Sequence, residues 1–174
     1  MGEKDVNEWS DQSSIRRVLL AFYSPRTPQM VENITGIKKI KIKPFLEKSL
    51  LKSLNPKASK GRLYTVTNKS RRLLKLPTST IQSNINWAIK GWVIASPRQR
   101  AVVLKIIDSA KRTSEEIRQR AIKYNPHLTR ISTKSILNEL VSKNLVDTEL
   151  NDRRRYYWIN DNGRSIVKDI VMRD

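Results

Sequence analysis

Apolar residues between positions 13 and 76 recur at the spacing of amphipathic helices. The positions expected on the buried faces of three successive helices are Ile15, Val18, Leu19 and Phe22; Met30, Val31 and Ile34; and Ile40, Phe45, Leu46, Leu50 and Leu51. Thr27 followed by Pro28 is typical of a helix start, and Gly36 is typical of a helix end. Residues 62–67 alternate like a strand, and a further helix is predicted over 70–76.

The same order of patterns returns in the second half of the chain. Helices are predicted after Ser96-Pro97, after Thr113 and over 132–143. Their expected buried positions are Val102, Val103, Ile106 and Ile107, followed by Ile136, Leu137, Leu140 and Val141. Two short strands, 146–149 and 156–159, flank a basic turn, and Asp161-Asn162-Gly163 leads into a last helix. Each half therefore predicts helix, helix, turn, helix, strand, basic turn, strand, helix.

This repeat predicts two small domains of one type. We expect an acidic N-terminal arm over residues 1–12, a first domain over 13–76, a connector over 77–95 and a second domain over 96–174. The connector contains Trp87 and Trp92, so we expect it to pack on one or both domains or to make dimer contacts. The predicted fold class is mainly α with small β-wings (α+β), because the element order fits two tandem winged helix-turn-helix domains.

Two stretches also carry a resemblance to a known family. The first is Leu-Asn-Pro-Lys-Ala-Ser-Lys-Gly-Arg-Leu-Tyr-Thr-Val-Thr at 54–67, and the second combines Arg-Arg-Arg-Tyr-Tyr at 153–157 with Asn162-Gly163. Both resemble the wing regions of archaeal winged-helix transcription regulators of the broad MarR/ArsR-like type, and residues 92–100 are similar to the approach to such domains. The resemblance implies DNA binding. Two departures are Pro44, which predicts a late or kinked recognition helix, and the insertion 123–130, which would re-aim the second one.

The charge balance supports a polyanionic partner. The 174 residues include 35 Lys and Arg against 16 Asp and Glu, a net charge of +19. Residues 12–90 hold 17 bases and only two acids, Glu32 and Glu47. Double-stranded DNA is the expected partner, because binding releases condensed counterions, and an anionic membrane surface is the competing interpretation.

The composition narrows the chemistry further. The absence of cysteine excludes disulfides and cysteine-ligated zinc, and the single histidine, His127, has no histidine partner for a metal site or a catalytic triad. With no phosphate-binding glycine loop, we expect no cofactor, no metal and no enzymatic activity. No apolar run reaches the roughly 18 residues of a membrane span. The polar N-terminus does not match a signal peptide, which predicts a cytoplasmic, nucleoid-associated protein.

In the first domain, lysines dominate the candidate DNA contacts. Those expected on the recognition helix are Lys38, Lys39, Lys41 and Lys43, and those on the wing are Lys57, Lys60 and Arg62. Lysine donates as a point charge that suits phosphates, so this domain is expected to contribute affinity more than specificity. The alternatives are a solvated helix face, and an Arg62 that covers the apolar base of the wing.

In the second domain, the candidates near the start of the recognition helix are Arg130, Thr133, Lys134 and Ser135, with Ser132 as its N-cap. The wing candidates are Arg153, Arg154 and Arg155. Alternation along a strand lets at most two of these three arginines face one ligand. The alternative is a turn in which they pair with Asp147, Glu149 or Asp152.

These patterns predict a transcription regulator that binds duplex DNA through two winged helices, with a homodimer or the internal repeat presenting two recognition helices. A protein-interaction scaffold of the basal transcription or replication machinery is one alternative, favoured by the connector tryptophans and the acidic arm. A non-specific chromatin or RNA-binding protein is another.

Overall fold

The computed structural model describes residues 12–77, 85–168 and 170. The chain divides into two compact units, Met1–Ser83 (unit 1) and Asn84–Asp174 (unit 2). Both combine α-helices with a small antiparallel sheet, and each buries its own hydrophobic core. The predicted arm up to residue 11 lies outside the described residues, as do connector residues 78–84.

Unit 1 is built from short elements. In chain order they are α1 (Gln12–Ala21), α2 (Pro28–Thr35), α3 (Lys43–Glu47), β1 (Leu51–Ser53), β2 (Tyr64–Val66) and α4 (Asn68–Leu73). The two strands pair antiparallel, with Leu51 opposite Val66. Arg26, between α1 and α2, exchanges both backbone hydrogen bonds with Tyr64 at 2.9 and 3.0 Å. A third extended segment therefore lines β2 on the edge away from β1.

The predicted second helix is confirmed, and local chemistry accounts for both of its ends. The Thr27 hydroxyl accepts from the backbone N–H of Met30 at 3.3 Å, and Pro28 stands in the first turn. Gly36 ends α2 with a φ of 75°, a left-handed conformation in which a side chain is strained. Two positions expected in the core are exposed, Ile34 on α2 and Leu46 on α3, because neither helix is covered on that side by another described element.

The third helix is much shorter than its apolar pattern predicted. It covers only Lys43–Glu47, with Pro44 in its first turn, which confirms the late start. Proline lacks an N–H and tolerates only the start of a helix, so the preceding residues stay outside it. Ser49, at a φ of 54°, leads out of the helix, and Leu51 lies in β1 instead.

Unit 2 has longer elements and a three-stranded sheet. Its elements are α5 (Trp87–Ile94), a π-helical turn (Pro97–Ala101) that runs into α6 (Val102–Ile106), β3 (Arg112–Thr113), α7 (Ser114–Ala121), α8 (Arg130–Ser142), β4 (Val146–Asn151), β5 (Arg154–Ile159) and α9 (Asp161–Val167). The strand order is β3-β5-β4, antiparallel throughout. Val146 pairs with Ile159 and Arg112 with Tyr157, so β5 is the central strand.

Helix α5 belongs to unit 2, although its sequence lies in the predicted connector. Trp87 and Trp92 are partly buried against the unit 2 core. The guanidinium of Arg100 lies 4.2 Å from the centre of the Trp92 ring and donates a hydrogen bond to the Trp92 carbonyl at 2.6 Å. These tryptophans therefore make contacts within their own unit.

The sequence repeat corresponds to a repeated topology. Apart from the additional helix α5 at the start of unit 2, each unit runs from a helix to a short extended segment, two helices, a β-hairpin and a closing helix. In both units the extended segment pairs with the second strand of the hairpin, Arg26 with Tyr64 in unit 1 and β3 with β5 in unit 2. No helix in the described ranges has the length and apolar character needed to cross a membrane.

Candidate nucleic-acid interface

Helix α8 is fixed by its cap and by its buried face. The Thr129 hydroxyl accepts from the Ser132 backbone N–H at 3.1 Å, and the Ser132 hydroxyl accepts from the Thr129 N–H at 2.9 Å. The N-cap is therefore Thr129, not Ser132, and the helix begins at Arg130. Ile136, Leu137 and Leu140 bury the inner face of the helix.

The prediction that Thr133 of α8 contacts DNA is wrong. Thr133 is 0% exposed, and its hydroxyl donates to the Thr129 carbonyl at 2.8 Å. The Thr133 hydroxyl is therefore satisfied within the helix and has no path to an outside ligand. Thr133 lies between Ser132 and Lys134 in a polar stretch of the sequence. The polarity of this stretch therefore did not indicate that Thr133 lies on the inner face of α8.

The outer face of α8 carries a continuous exposed stripe. Its members recur at intervals of three or four residues: Ile131, Lys134, Ser135, Asn138 and Ser142. Within the described residues, the side chains of Lys134, Ser135 and Asn138 make no hydrogen bond or ion pair. Lys134 and Ser135 are among the residues predicted from the sequence to contact DNA; Ile131 and Asn138 are not, although the same spacing places them on this face.

Arg130 stands at the start of α8 and is held by the neighbouring helix. Its Nε donates to Oε2 of Glu115 at 3.2 Å, while the side chain stays 77% exposed. Arg118 and Gln119 donate to the other Glu115 oxygen at 2.7 and 2.8 Å. These hydrogen bonds, that from Arg118 first, lower the pKa of Glu115 to about 2. The Arg130 guanidinium is thus both accessible and oriented.

The loop before α8 is anchored rather than loose. The buried Asn125 side chain donates to the Arg98 carbonyl at 2.6 Å and accepts from the His127 N–H at 3.3 Å. Leu128 is buried beside it, whereas His127 is exposed, as expected of a loop residue.

Three consecutive arginines lie at the tip of the β4–β5 hairpin. Asn151 pairs with Arg154, so Asp152 and Arg153 form a two-residue turn, with φ angles of 46° and 66°. Arg153, Arg154 and Arg155 are all exposed. None of the three side chains has a hydrogen bond or ion pair to any described residue.

The ion pairs predicted as the alternative for these arginines do not form among the described residues. Glu149 pairs with Lys111, and Asp147 accepts from Asn160 at 3.0 Å. Arg154 and Arg155 point to opposite faces of the sheet, because they alternate along β5. At most two of the three arginines can therefore share a face of the hairpin.

Six other arginines of unit 2 have acidic partners, whereas exposed Arg98 has none among the described residues. The pairs are Arg100 with Glu139, Arg112 and Arg120 with Asp108, Arg118 and Arg130 with Glu115, and Arg164 with Asp161. These acidic residues of unit 2 thus form ion pairs with arginines on the helices and at the helix ends. The hairpin tip keeps its positive charge almost uncompensated, with only Asp152 beside it.

In unit 1 the four predicted helix lysines do not share a helix. Lys38, Lys39 and Lys41 are exposed in the loop before α3, with Lys39 at a φ of 56°, and only Lys43 is helical. Lys43 lies 3.7 Å from Glu47, but both side chains are highly exposed, so the pair contributes little to stability.

The loop between β1 and β2 has an internal scaffold. Buried Asn55 accepts from the Leu63 N–H at 2.7 Å and donates to the Gly61 carbonyl at 3.1 Å. Arg62 is exposed, and its guanidinium donates twice to the Ala58 carbonyl, at 2.9 and 3.1 Å. It braces the loop, whereas Lys57 and Lys60 extend outward from it.

Unit 1 also has exposed cations outside the predicted DNA contacts. Lys69, Arg72 and Lys75 are exposed on and just after α4, and the Lys69 amine donates to the Lys48 carbonyl at 3.0 Å. Arg71, by contrast, is buried, where it stacks on Tyr23 at 4.6 Å and donates to the Tyr23 carbonyl at 3.3 Å.

Among the described residues no group of three or more His, Cys, Asp or Glu side chains is placed to hold a metal ion. No model of a known protein family matches the sequence, and no curated protein matches it. The arrangement of charges and exposed side chains is therefore the basis on which a function can be proposed.

Proposed function

We propose that the protein binds duplex DNA as a transcription regulator, and that its two units are tandem winged helix-turn-helix domains. The observation that carries the proposal is the pair of unpartnered surfaces in unit 2. On the outer stripe of α8, Lys134, Ser135 and Asn138 make no hydrogen bond or ion pair to a described residue, and neither do the three arginines of the hairpin tip. Most of the other described arginines of that unit pair with acids.

In this proposal α8 enters the major groove. The stripe from Ile131 to Ser142 covers twelve residues, so its ends are about 16 Å apart at about 1.5 Å per residue. A major groove about 12 Å wide admits one helix, and side chains on its outer face then meet base edges. Lys134 suits a phosphate or guanine, and the amide of Asn138 matches adenine.

The arginine tip would contact the backbone or the minor groove beside α8. Arginines inserted into a narrow minor groove respond to its enhanced negative potential and so to DNA shape. Arg154 and Arg155 lie on opposite faces of the hairpin, so they could approach two different phosphates, with Arg153 at the tip.

In this proposal unit 1 contributes to the affinity for DNA more than to sequence specificity. Its described residues hold Glu32 and Glu47 as their only acids, against many exposed lysines. Lysine contacts to phosphates are largely independent of sequence, so these lysines would strengthen binding to any duplex.

The test combines site selection with salt titration. Duplexes enriched from a random pool should converge on a motif, and the logarithm of the binding constant should fall linearly with the logarithm of salt concentration, with a slope of about −0.9 per neutralised phosphate. A steep slope without a motif would favour non-specific nucleic-acid binding, to which the unit 1 lysines are also suited. Failure to bind duplex DNA at low salt would reject the proposal.

A further inference from the structure

Ile131 is the most exposed of the large apolar side chains that the structure describes, at 83%. It lies in the first turn of α8, on the same outer stripe as Lys134, Ser135 and Asn138. The inner face of that helix is supplied by Ile136, Leu137 and Leu140, so Ile131 contributes nothing to the core.

An isoleucine at this position has no local benefit for the helix. β-Branched residues are weaker helix formers than alanine, arginine or lysine, and any of these three could occupy an exposed position in the first turn. Its apolar surface is also surrounded by polar groups, with Arg130 before it and Lys134 one turn later. An isolated apolar group at the start of a polar stripe, between Arg130 and Lys134, fits a ligand surface that is mainly polyanionic but has a single apolar feature.

The DNA major groove offers such a feature. Thymine presents a C5 methyl group there, which cytosine lacks, and aliphatic side chains contact it. We propose that Ile131 is a specificity-determining residue that recognises the 5-methyl group of a pyrimidine in the major groove. This inference rests on the proposed function, because it requires α8 to enter the groove.

The geometry also indicates where a second base contact would fall. Asn138 lies seven residues beyond Ile131 on the same stripe, about 10 Å along the helix axis. Successive base pairs are about 3.4 Å apart and a helix in the major groove is inclined to the duplex axis, so the methyl-contacting base and a base facing Asn138 would be separated by at most about three steps.

The experiment compares matched duplexes that differ only in methyl groups. A random-sequence pool and the duplexes enriched from it are synthesised with thymine or with deoxyuridine, which keeps the pairing edge but lacks the methyl group. Affinities are measured for the full-length chain, for Ile131→Ala and for Lys134→Ala. Circular dichroism checks that each variant is folded, which is expected because both side chains are exposed.

The wild-type chain should bind its enriched duplexes about fourfold more weakly when deoxyuridine replaces thymine at one position, as expected from burial of one methyl group. Ile131→Ala should bind both forms equally. Lys134→Ala should bind both forms more weakly and keep the ratio between them. With guanine opposite in both duplexes, 5-methylcytosine at that position should bind the wild-type chain more tightly than cytosine does.

Two results would overturn the inference alone: duplex binding by the wild-type chain that is indifferent to deoxyuridine at every position, or an unchanged ratio in Ile131→Ala. Absence of any duplex binding would reject the proposed function together with it, so the two failures are distinguishable.

Discussion

The Nε atom of Arg130, the first residue of α8, lies 3.2 Å from Oε2 of Glu115 in α7. This ion pair ties the start of the exposed helix to the helix that precedes it. A DNA phosphate would compete with Glu115 for the same guanidinium, so Glu115 both orients Arg130 and opposes its transfer to a ligand.

Replacing Glu115 with Gln should therefore tighten duplex binding severalfold at low salt. The change removes a negative charge beside the proposed interface and leaves Arg130 available. Affinity titrations at several salt concentrations would measure it. Glu139→Gln is the matched control, because Glu139 pairs with Arg100 near the other end of α8. If Glu115→Gln and Glu139→Gln raise the affinity for the duplex equally, the net charge of the protein accounts for the change and the release of Arg130 does not.

Simultaneous replacement of Arg153, Arg154 and Arg155 with Ala should weaken duplex binding at least tenfold without unfolding the protein. The three side chains have no partner among the described residues, so the replacement removes interactions with the ligand and not internal ones. The slope of affinity against salt should fall by about 0.9 for each phosphate that the variant no longer neutralises. Arg164→Ala, which breaks a pair with Asp161, serves as control. Unchanged affinity in the triple variant would exclude the hairpin from the interface.

Replacing Lys38 and Lys39 with Ala should lower affinity by a similar factor for every duplex tested. Both lysines are exposed in the loop before α3. Point charges on a loop favour phosphates over base edges. Competition assays with several unrelated sequences would check this. A loss confined to one base position would show that unit 1 also contributes specificity.

Gly163→Ala should destabilise unit 2 by about 1–3 kcal/mol or more. A β-carbon there would lie 2.2 Å from the Leu145 carbonyl oxygen and 2.7 Å from Cγ1 of Ile159, and the backbone atom cannot easily move away. Gly36→Ala is the contrasting variant, since nothing lies within 4 Å of its added carbon and only the φ of 75° is unfavourable. Thermal unfolding of both variants would rank the two effects.

Unit 2 should lose stability on acidification between about pH 4 and pH 2. Hydrogen bonds from Arg112 and then Arg120 lower the pKa of Asp108 to about 2, and those from Arg118 and Gln119 lower that of Glu115 to about 2. A carboxyl group whose pKa is lower in the folded state stabilises the fold above its unfolded pKa, near 4, and this stabilisation disappears as pH falls through the folded value. Both groups are partly exposed, so the effect is small. Asp108→Asn should reduce the pH dependence of the melting temperature in this range; an unaltered profile would contradict the assignment.

Helix starts and turns were the most predictable features of the fold. Thr27-Pro28, Gly36 and Thr113 act through short-range hydrogen bonds and backbone preferences, which depend on neighbouring residues alone. The helix start predicted after Thr113 is confirmed, and there the Thr113 hydroxyl and the Glu116 carboxylate each accept from the other residue's backbone N–H.

The length of α3 and the orientation of α8 depend on tertiary contacts and could not be predicted from local sequence. The apolar pattern around α3 predicted a long helix, but Pro44 and the pairing of Leu51 with Val66 reduced it to five residues. At α8, Thr133 was predicted to contact DNA because it is polar, yet the helix turns it inward. Ile131 escaped notice because it is apolar, yet the helix turns it outward. Which side of a helix faces the core depends on its neighbours.

The two-residue turn at Asp152 and Arg153 has a consequence for the entropy of binding. Positive φ angles at both residues allow a tight turn that matches the natural twist of paired strands, so β4 and β5 stay hydrogen-bonded up to the tip. The arginines therefore stand on a stiff support, and a ligand has to immobilise their side chains but not their backbone. Because ordering a loop opposes association, this preorganised tip would lose less conformational freedom on binding than a long loop carrying the same charges.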